Sequence, residues 1–83
     1  MAIDYSKLRS LTAREIIAGL SRDGFLLRSQ SGSHQRYRHP DGRRVTVSFH
    51  RPGDTFDPKT LRSMIELQAR WTADDLKRLG LVK

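Results

Sequence analysis

Residues 32–47 read Gly32-Ser33-His34-Gln35-Arg36-Tyr37-Arg38-His39-Pro40-Asp41-Gly42-Arg43-Arg44-Val45-Thr46-Val47, and their pattern is that of a cationic β-hairpin carrying a histidine. Asp41-Gly42 is the favoured pair for a tight two-residue hairpin turn, whose central residues both need positive φ, and alternating sequence flanks it on either side. Successive strand residues point to opposite faces, so His34, Arg36 and Arg38 share one face while Gln35, Tyr37 and His39 share the other. On the returning strand Val45, Val47 and Phe49 line one face; Arg44, Thr46, Ser48 and His50 line its opposite side. With the valines toward a core, the sheet is apolar behind and basic in front. Tyr37 then fills the core under the hairpin.

Outward from the hairpin the chain supplies what covers the apolar side. Upstream, Thr12 is a good N-cap, Glu15 three residues on completes a capping box, and Leu11 with Ile16 forms the hydrophobic staple. The helix that starts at Ala13 carries Ala13, Ile16, Ile17 and Leu20 at i, i+3, i+4 and i+7, one apolar stripe, and Gly24 ends it. Phe25 to Gln30 reads as a strand with Phe25 and Leu27 on one side and Leu26 and Arg28 on the other. Ser29 to Ser33 is small and polar, a connection into the hairpin in which Gly32 is free to adopt positive φ. Downstream, Arg51 to Phe56 reads as a loop, and Asp57-Pro58 is an N-cap followed by proline at the first helical position. Leu61, Met64 and Ile65, continued by Gln68 or Ala69, make the stripe of this second helix. Thr72 with Asp75 opens a short third helix through Leu76 and Leu79, closed by Gly80, with Trp71 packed at the junction. Residues 1–10 place Ile3, Tyr5 and Leu8 at a loose spacing and receive no role.

The order α-β-β-β-α(-α) with short hairpins predicts an α+β fold of two layers, a three-stranded antiparallel sheet with both main helices on one face and a short C-terminal helix. Eighty-three residues predict a single domain over 1–83. Sixteen Lys and Arg against nine Asp and Glu give a net charge of +7 and a pI near 10.8, which makes a polyanion the first partner to consider, nucleic acid before others. The positive residues cluster over 28–51 while acids gather near 54–57 and 74–75, so the charge reads as a patch rather than a uniformly solvated surface. There is no cysteine, hence no disulfide or thiolate metal site. The N-terminus lacks an apolar signal core and no run approaches the ~18 apolar residues of a membrane span, so a soluble cytoplasmic protein with no membrane partner is expected.

The residues Thr12-Ala13-Arg14-Glu15, Gly24-Phe25, Gly32-Ser33-His34-Gln35-Arg36-Tyr37, the run Arg38 to Val47, and Leu61-Arg62-Ser63-Met64 together resemble the HicA toxin family, also called YcfA-like. The resemblance covers residues 11 to 69, and Gly-Ser-His-x-x-Tyr is its specific part. It implies a fold similar to the double-stranded RNA-binding domain, the activity of a metal-independent mRNA interferase that needs no cofactor, and a HicB-like antitoxin that binds and masks the toxin. The family's catalytic histidine corresponds to His34.

RNA strand cleavage can use the neighbouring 2′-hydroxyl as nucleophile, so the protein must help to deprotonate it, protonate the leaving oxygen and stabilise negative charge on phosphorus. Histidine, with an ordinary pKa of roughly 6.5, has both protonation states within reach near neutrality. Arg36 and Arg38 offer cationic donors to phosphate oxygens, Arg43 and Arg44 add backbone-binding charge, and Gly32 and Ser33 can form a nest of N–H groups and a hydroxyl for one phosphate. Against this stands a plain alternative, that His34 is an ordinary surface histidine on a basic sheet. His39 and His50 read as strand-end or loop residues, and His50 could serve as a second proton-transfer group. No His pair at helical spacing suggests a metal site. Two other functions compete: a non-catalytic RNA-binding module of the same fold, binding by shape and phosphate contacts, and an interaction protein whose basic face meets an acidic partner.

Overall fold

The computed structural model describes residues 3–82. A 3₁₀ turn at Tyr5–Leu8 precedes helix α1 (Ala13–Asp23), strands β1 (Leu26–Ser31), β2 (His34–Arg38) and β3 (Arg44–Ser48), helix α2 (Pro58–Arg62), which continues as a π-helical segment Ser63–Gln68, and helix α3 (Ala73–Arg78). The strands form one antiparallel sheet in the order β1-β2-β3, the α+β arrangement that the sequence predicts.

Local chemistry explains the boundaries. Thr12 Oγ1 accepts the Glu15 N–H and the Glu15 carboxylate accepts the Thr12 N–H, the reciprocal capping box that starts α1. Gly24 ends it at φ +102°, and any Cβ there would also press within 3.1 Å of the His39 ring, so glycine is required for two separate reasons. Asp57 caps α2 ahead of Pro58, and a second capping box, Thr72 with Asp75, opens α3. Ile16 and Leu20 of α1, Tyr37, Val45 and Val47 of the sheet, and Leu61, Met64, Ile65 and Ala69 of the second helical stretch form one buried cluster. Trp71 closes it edge-on to Phe25. Leu11, the staple residue, is buried in the same cluster, and so is Leu8, which lies in the segment given no role from sequence and contributes directly to the core.

Three expectations are corrected. The hairpin between β2 and β3 does not turn on Asp41-Gly42 alone: the His39 N–H bonds to the Arg43 carbonyl and the Gly42 N–H to that of His39, leaving Pro40-Asp41-Gly42 as a three-residue loop with positive φ only at Gly42. A two-residue turn would make Pro40 and Arg43 the last hydrogen-bonded pair, and proline has no N–H to give. It would also set Val45 opposite Arg38 on one face, because cross-strand partners share a face and a one-residue slip inverts every side chain. The observed register, Arg38↔Arg44 through His34↔Ser48, keeps the valines in and the arginines out. The connection before β2 is likewise tighter than expected. β1 runs to Ser31, paired with His34, so only Gly32 and Ser33 turn, with Gly32 alone at φ +57°, the type II′ signature. Lastly, Leu27 does not join Phe25 inside. β1 is an edge strand, its residues are all exposed, and Leu27 keeps 49 % of its surface. The slip in pairing between Leu27 and Ser29 leaves Arg28 as the extra residue of a bulge. The opposite edge is closed: Gln68 Oε1 accepts the outward N–H of Thr46, and the π-helical turn that carries Gln68 holds it through Ser63 Oγ.

Candidate active site on the basic face of the sheet

The site is built on the β2–β3 ladder. The bonds Phe49 N–H to Ser33 O at 3.0 Å and His39 N–H to Arg43 O at 2.9 Å bracket the ladder and assign the exchange of backbone bonds to the odd-numbered pairs, Gln35 with Val47 and Tyr37 with Val45. The intervening pairs, His34↔Ser48, Arg36↔Thr46 and Arg38↔Arg44, are therefore the non-hydrogen-bonded ones, in which the chains approach most closely and side chains touch. All three pairs point away from the core. His34 lies at the start of β2, directly after the Gly32-Ser33 turn, and its Nδ1 is 2.6 Å from Ser48 Oγ. Among the described residues no partner engages its Nε2.

The arginines beside it are unneutralised. Arg36, Arg38 and Arg44 are exposed and none has a carboxylate partner among the described residues. Arg38 and Arg44 stand directly opposite one another, where like charges repel and destabilise the pairing. Arg28, delivered by the β1 bulge, joins Ser29, Arg36, Arg38, Arg44 and Thr46 around a shallow groove of about 420 Å³. Neither Arg28 nor Ser48 stands out in the sequence as a site residue. The signal for Ser48 lay in Pro40, which argues against the two-residue turn and so for the observed register. Nothing local in the sequence marks the bulge that presents Arg28.

Arg43 is not brought to this face. Its side chain is only 17 % exposed. Nε donates to Asp41 at 2.8 Å, Nη1 donates to the Ala69 carbonyl at 2.6 Å and lies 3.1 Å from Asp23, and the guanidinium sits over the Phe25 ring at 4.9 Å. Asp23, itself 10 % exposed, also accepts from Trp71 Nε1 and Arg78. Burial alone would raise the Asp23 carboxyl pKa, but the bonds from Trp71 and Arg78 and the charge of Arg43 outweigh it and hold the pKa below its usual value. Arg43 thus ties the hairpin loop to α1 and to the end of the π-helical segment.

His39 belongs to the same structural knot. Its Nε2 lies 2.7 Å from the Asp23 carbonyl, which can only accept, so Nε2 carries the proton; Nδ1 rests against Asp41, 3.1 Å from its backbone nitrogen and 3.0 Å from its carboxylate. His50 follows the end of β3 and lines a small hollow with Gln30, Gly32, Ser33, Gln35 and Phe49, a hollow to which His34 does not contribute. Asp54 and Asp57 serve as turn and cap. The N–H groups of His50 and Arg51 bind the Asp54 carboxylate and that of Thr60 binds Asp57, which lowers both carboxyl pKa values. Among the described residues no helix is long and apolar enough to cross a membrane.

An exposed histidine flanked by unpaired arginines suits a ligand that combines phosphate charge with a proton to move. No curated protein matches the chain. A family model described as HicA toxin of bacterial toxin–antitoxin systems matches residues 13–81, from the first residue of α1 through α3 and so beyond the stretch in which the resemblance is visible by eye. The match takes in the whole sheet with its histidine and arginines, and the chain belongs to the HicA toxin family.

Proposed function

We propose that the protein is the toxin of a toxin–antitoxin pair and acts as a ribonuclease on mRNA in the cytoplasm. His34 is the proton-transfer group, and Arg28, Arg36, Arg38 and Arg44 hold the RNA backbone. The observation that supports this most is the placement of His34 in one exposed row with Arg36 and Arg38, beside arginines without carboxylate partners, while Arg43, Arg62 and Arg78 are engaged in ion pairs elsewhere. A protein using its charge only for solubility has no reason to oppose Arg38 and Arg44. A polyanion bridging them removes the repulsion.

The chemistry follows from what the row offers. The 2′-hydroxyl attacks the adjacent phosphorus while the bond to the leaving 5′-oxygen breaks. Histidine accepts or returns the proton, and the arginines stabilise the added charge on the phosphoryl oxygens. The Gly32-Ser33 turn, which precedes His34 and lines a separate hollow, offers its backbone to a neighbouring phosphate of the same strand. A HicB-like antitoxin inhibits by covering this face with acidic groups, which gain complementarity against the arginines and exclude RNA.

The test is incubation of purified protein with a defined RNA beside the His34→Ala variant. Cleavage by the parent and none by the variant is the expected result. Binding without cleavage by either would make the chain an RNA-binding module, and absence of both would leave the basic face to a protein partner.

A further inference from the structure

We infer that Ser48 is a positioning residue for His34: by engaging Nδ1 it fixes the ring and makes Nε2 the atom that takes and returns the proton. This rests on His34 acting as the proton-transfer group. The interaction is a product of register. His34 and Ser48 form a non-hydrogen-bonded pair, where cross-strand side chains come closest, and the 2.6 Å separation of Nδ1 and Oγ is a full hydrogen bond. In histidine the group that binds one ring nitrogen decides what the other can do. Nδ1 is occupied, whereas Nε2 has no partner among the described residues.

The proton inventory closes on this assignment. In the neutral ring Nδ1–H donates to Ser48 Oγ, and the Nε2 lone pair accepts the proton of the 2′-hydroxyl as its oxygen bonds to phosphorus. In the imidazolium so formed Nδ1–H still donates to Ser48 and Nε2–H returns its proton to solvent, while the 5′-oxygen, leaving on the far side of phosphorus, takes its proton from water. A serine hydroxyl can also donate to Nδ1, which would put the neutral ring's proton on Nε2; in the assigned tautomer Ser48 accepts throughout and needs no rearrangement during turnover. An exposed serine late in an edge strand has no packing task, which separates a catalytic from a structural consequence of its removal.

The experiment compares the parent chain, Ser48→Ala and Ser48→Thr in steady-state RNA cleavage, with ring ¹⁵N NMR of His34 and a melting curve on the same preparations. For Ser48→Ala we expect kcat to fall about 10-fold, the low end for loss of a group that orients a ligand or proton carrier, with KM and melting temperature unchanged and the Nδ1–H form of neutral His34 no longer dominant. Ser48→Thr keeps the hydroxyl and should restore both kcat and the tautomer. Unchanged kcat and tautomer in Ser48→Ala would overturn the assignment. A rise in KM alone would overturn it too, making Ser48 a substrate-binding residue instead, and complete inactivity with a phosphoryl group trapped on Ser48 in the parent would make it a nucleophile. If the parent chain cuts no RNA, the functional reading fails and the inference with it, even where NMR still shows the hydrogen bond.

Discussion

Adjacent arginines with opposite fates give the sharpest test of this structure. Arg43→Ala removes a guanidinium that donates to Asp41 and to the Ala69 carbonyl, lies against Asp23, and stacks on Phe25. Hydrogen bonds to charged groups contribute about 1.5–3 kcal/mol each, and a buried acceptor left unsatisfied costs about 1–3 kcal/mol. These effects overlap, because Asp23 keeps Trp71 and Arg78, so a loss of about 3 kcal/mol is expected rather than the sum. For a domain of this size that lowers Tm by roughly 12–24 °C. Arg44→Ala, exposed and opposite Arg38, should stay within about 0.5 kcal/mol of the parent. RNA binding should invert the order. On a non-cleavable single-stranded RNA, Arg44→Ala should weaken affinity and reduce the slope of log affinity against log salt by about 0.7, the value for one phosphate no longer neutralised. Arg43→Ala, measured where it is folded, should retain the parental slope. Urea melts and fluorescence anisotropy at several salt concentrations decide the matter. A stable Arg43→Ala with a reduced salt slope would refute the division of roles, and Arg43→Lys, which keeps charge but loses the planar fork, should fall between parent and alanine in stability.

Three further outcomes are expected. His34→Ala should leave the melting temperature unchanged and RNA affinity intact while cutting the cleavage rate by about 10²–10⁴-fold; residual cleavage at the parental rate would move the chemistry elsewhere. Because the Asp23 carboxyl is held below its usual pKa, its contribution to stability is fully present above the ordinary value of about 3.9 and is lost as pH falls through the lower folded value. Urea midpoints measured down the acid range should therefore fall less steeply for Asp23→Asn than for the parent, which starts higher, and parallel curves would show that Asp23 is not the linked group. A cognate antitoxin should protect Arg36, Arg38 and His34 in the complex, so a footprint confined to the helical side with these residues still reactive would contradict masking of the basic face.

Much of the molecule was legible along the chain because it depends on neighbours in sequence. Both capping boxes, the Asp57-Pro58 helix start and the Gly24 stop are set by groups within a few residues of each other, and alternation alone placed His34, Arg36 and Arg38 on one face and Tyr37 on the other. The α-β-β-β-α order and the family resemblance at Gly32-Ser33-His34 needed nothing more. What sequence could not weigh was competition between signals. Asp41-Gly42 favours a two-residue turn, while the valine alternation and Pro40 require three, and only the closed ladder shows which prevails. That single residue of register brings Ser48 to His34. Arg43 and Arg44 are indistinguishable as letters. The difference arises because the odd position turns inward toward Asp23 and Ala69, both distant along the chain, and the even one stays on the open face. Long-range pairing of a charge is a property of packing, and so the boundary between ion-paired and open-faced arginines was decided by the tertiary fold.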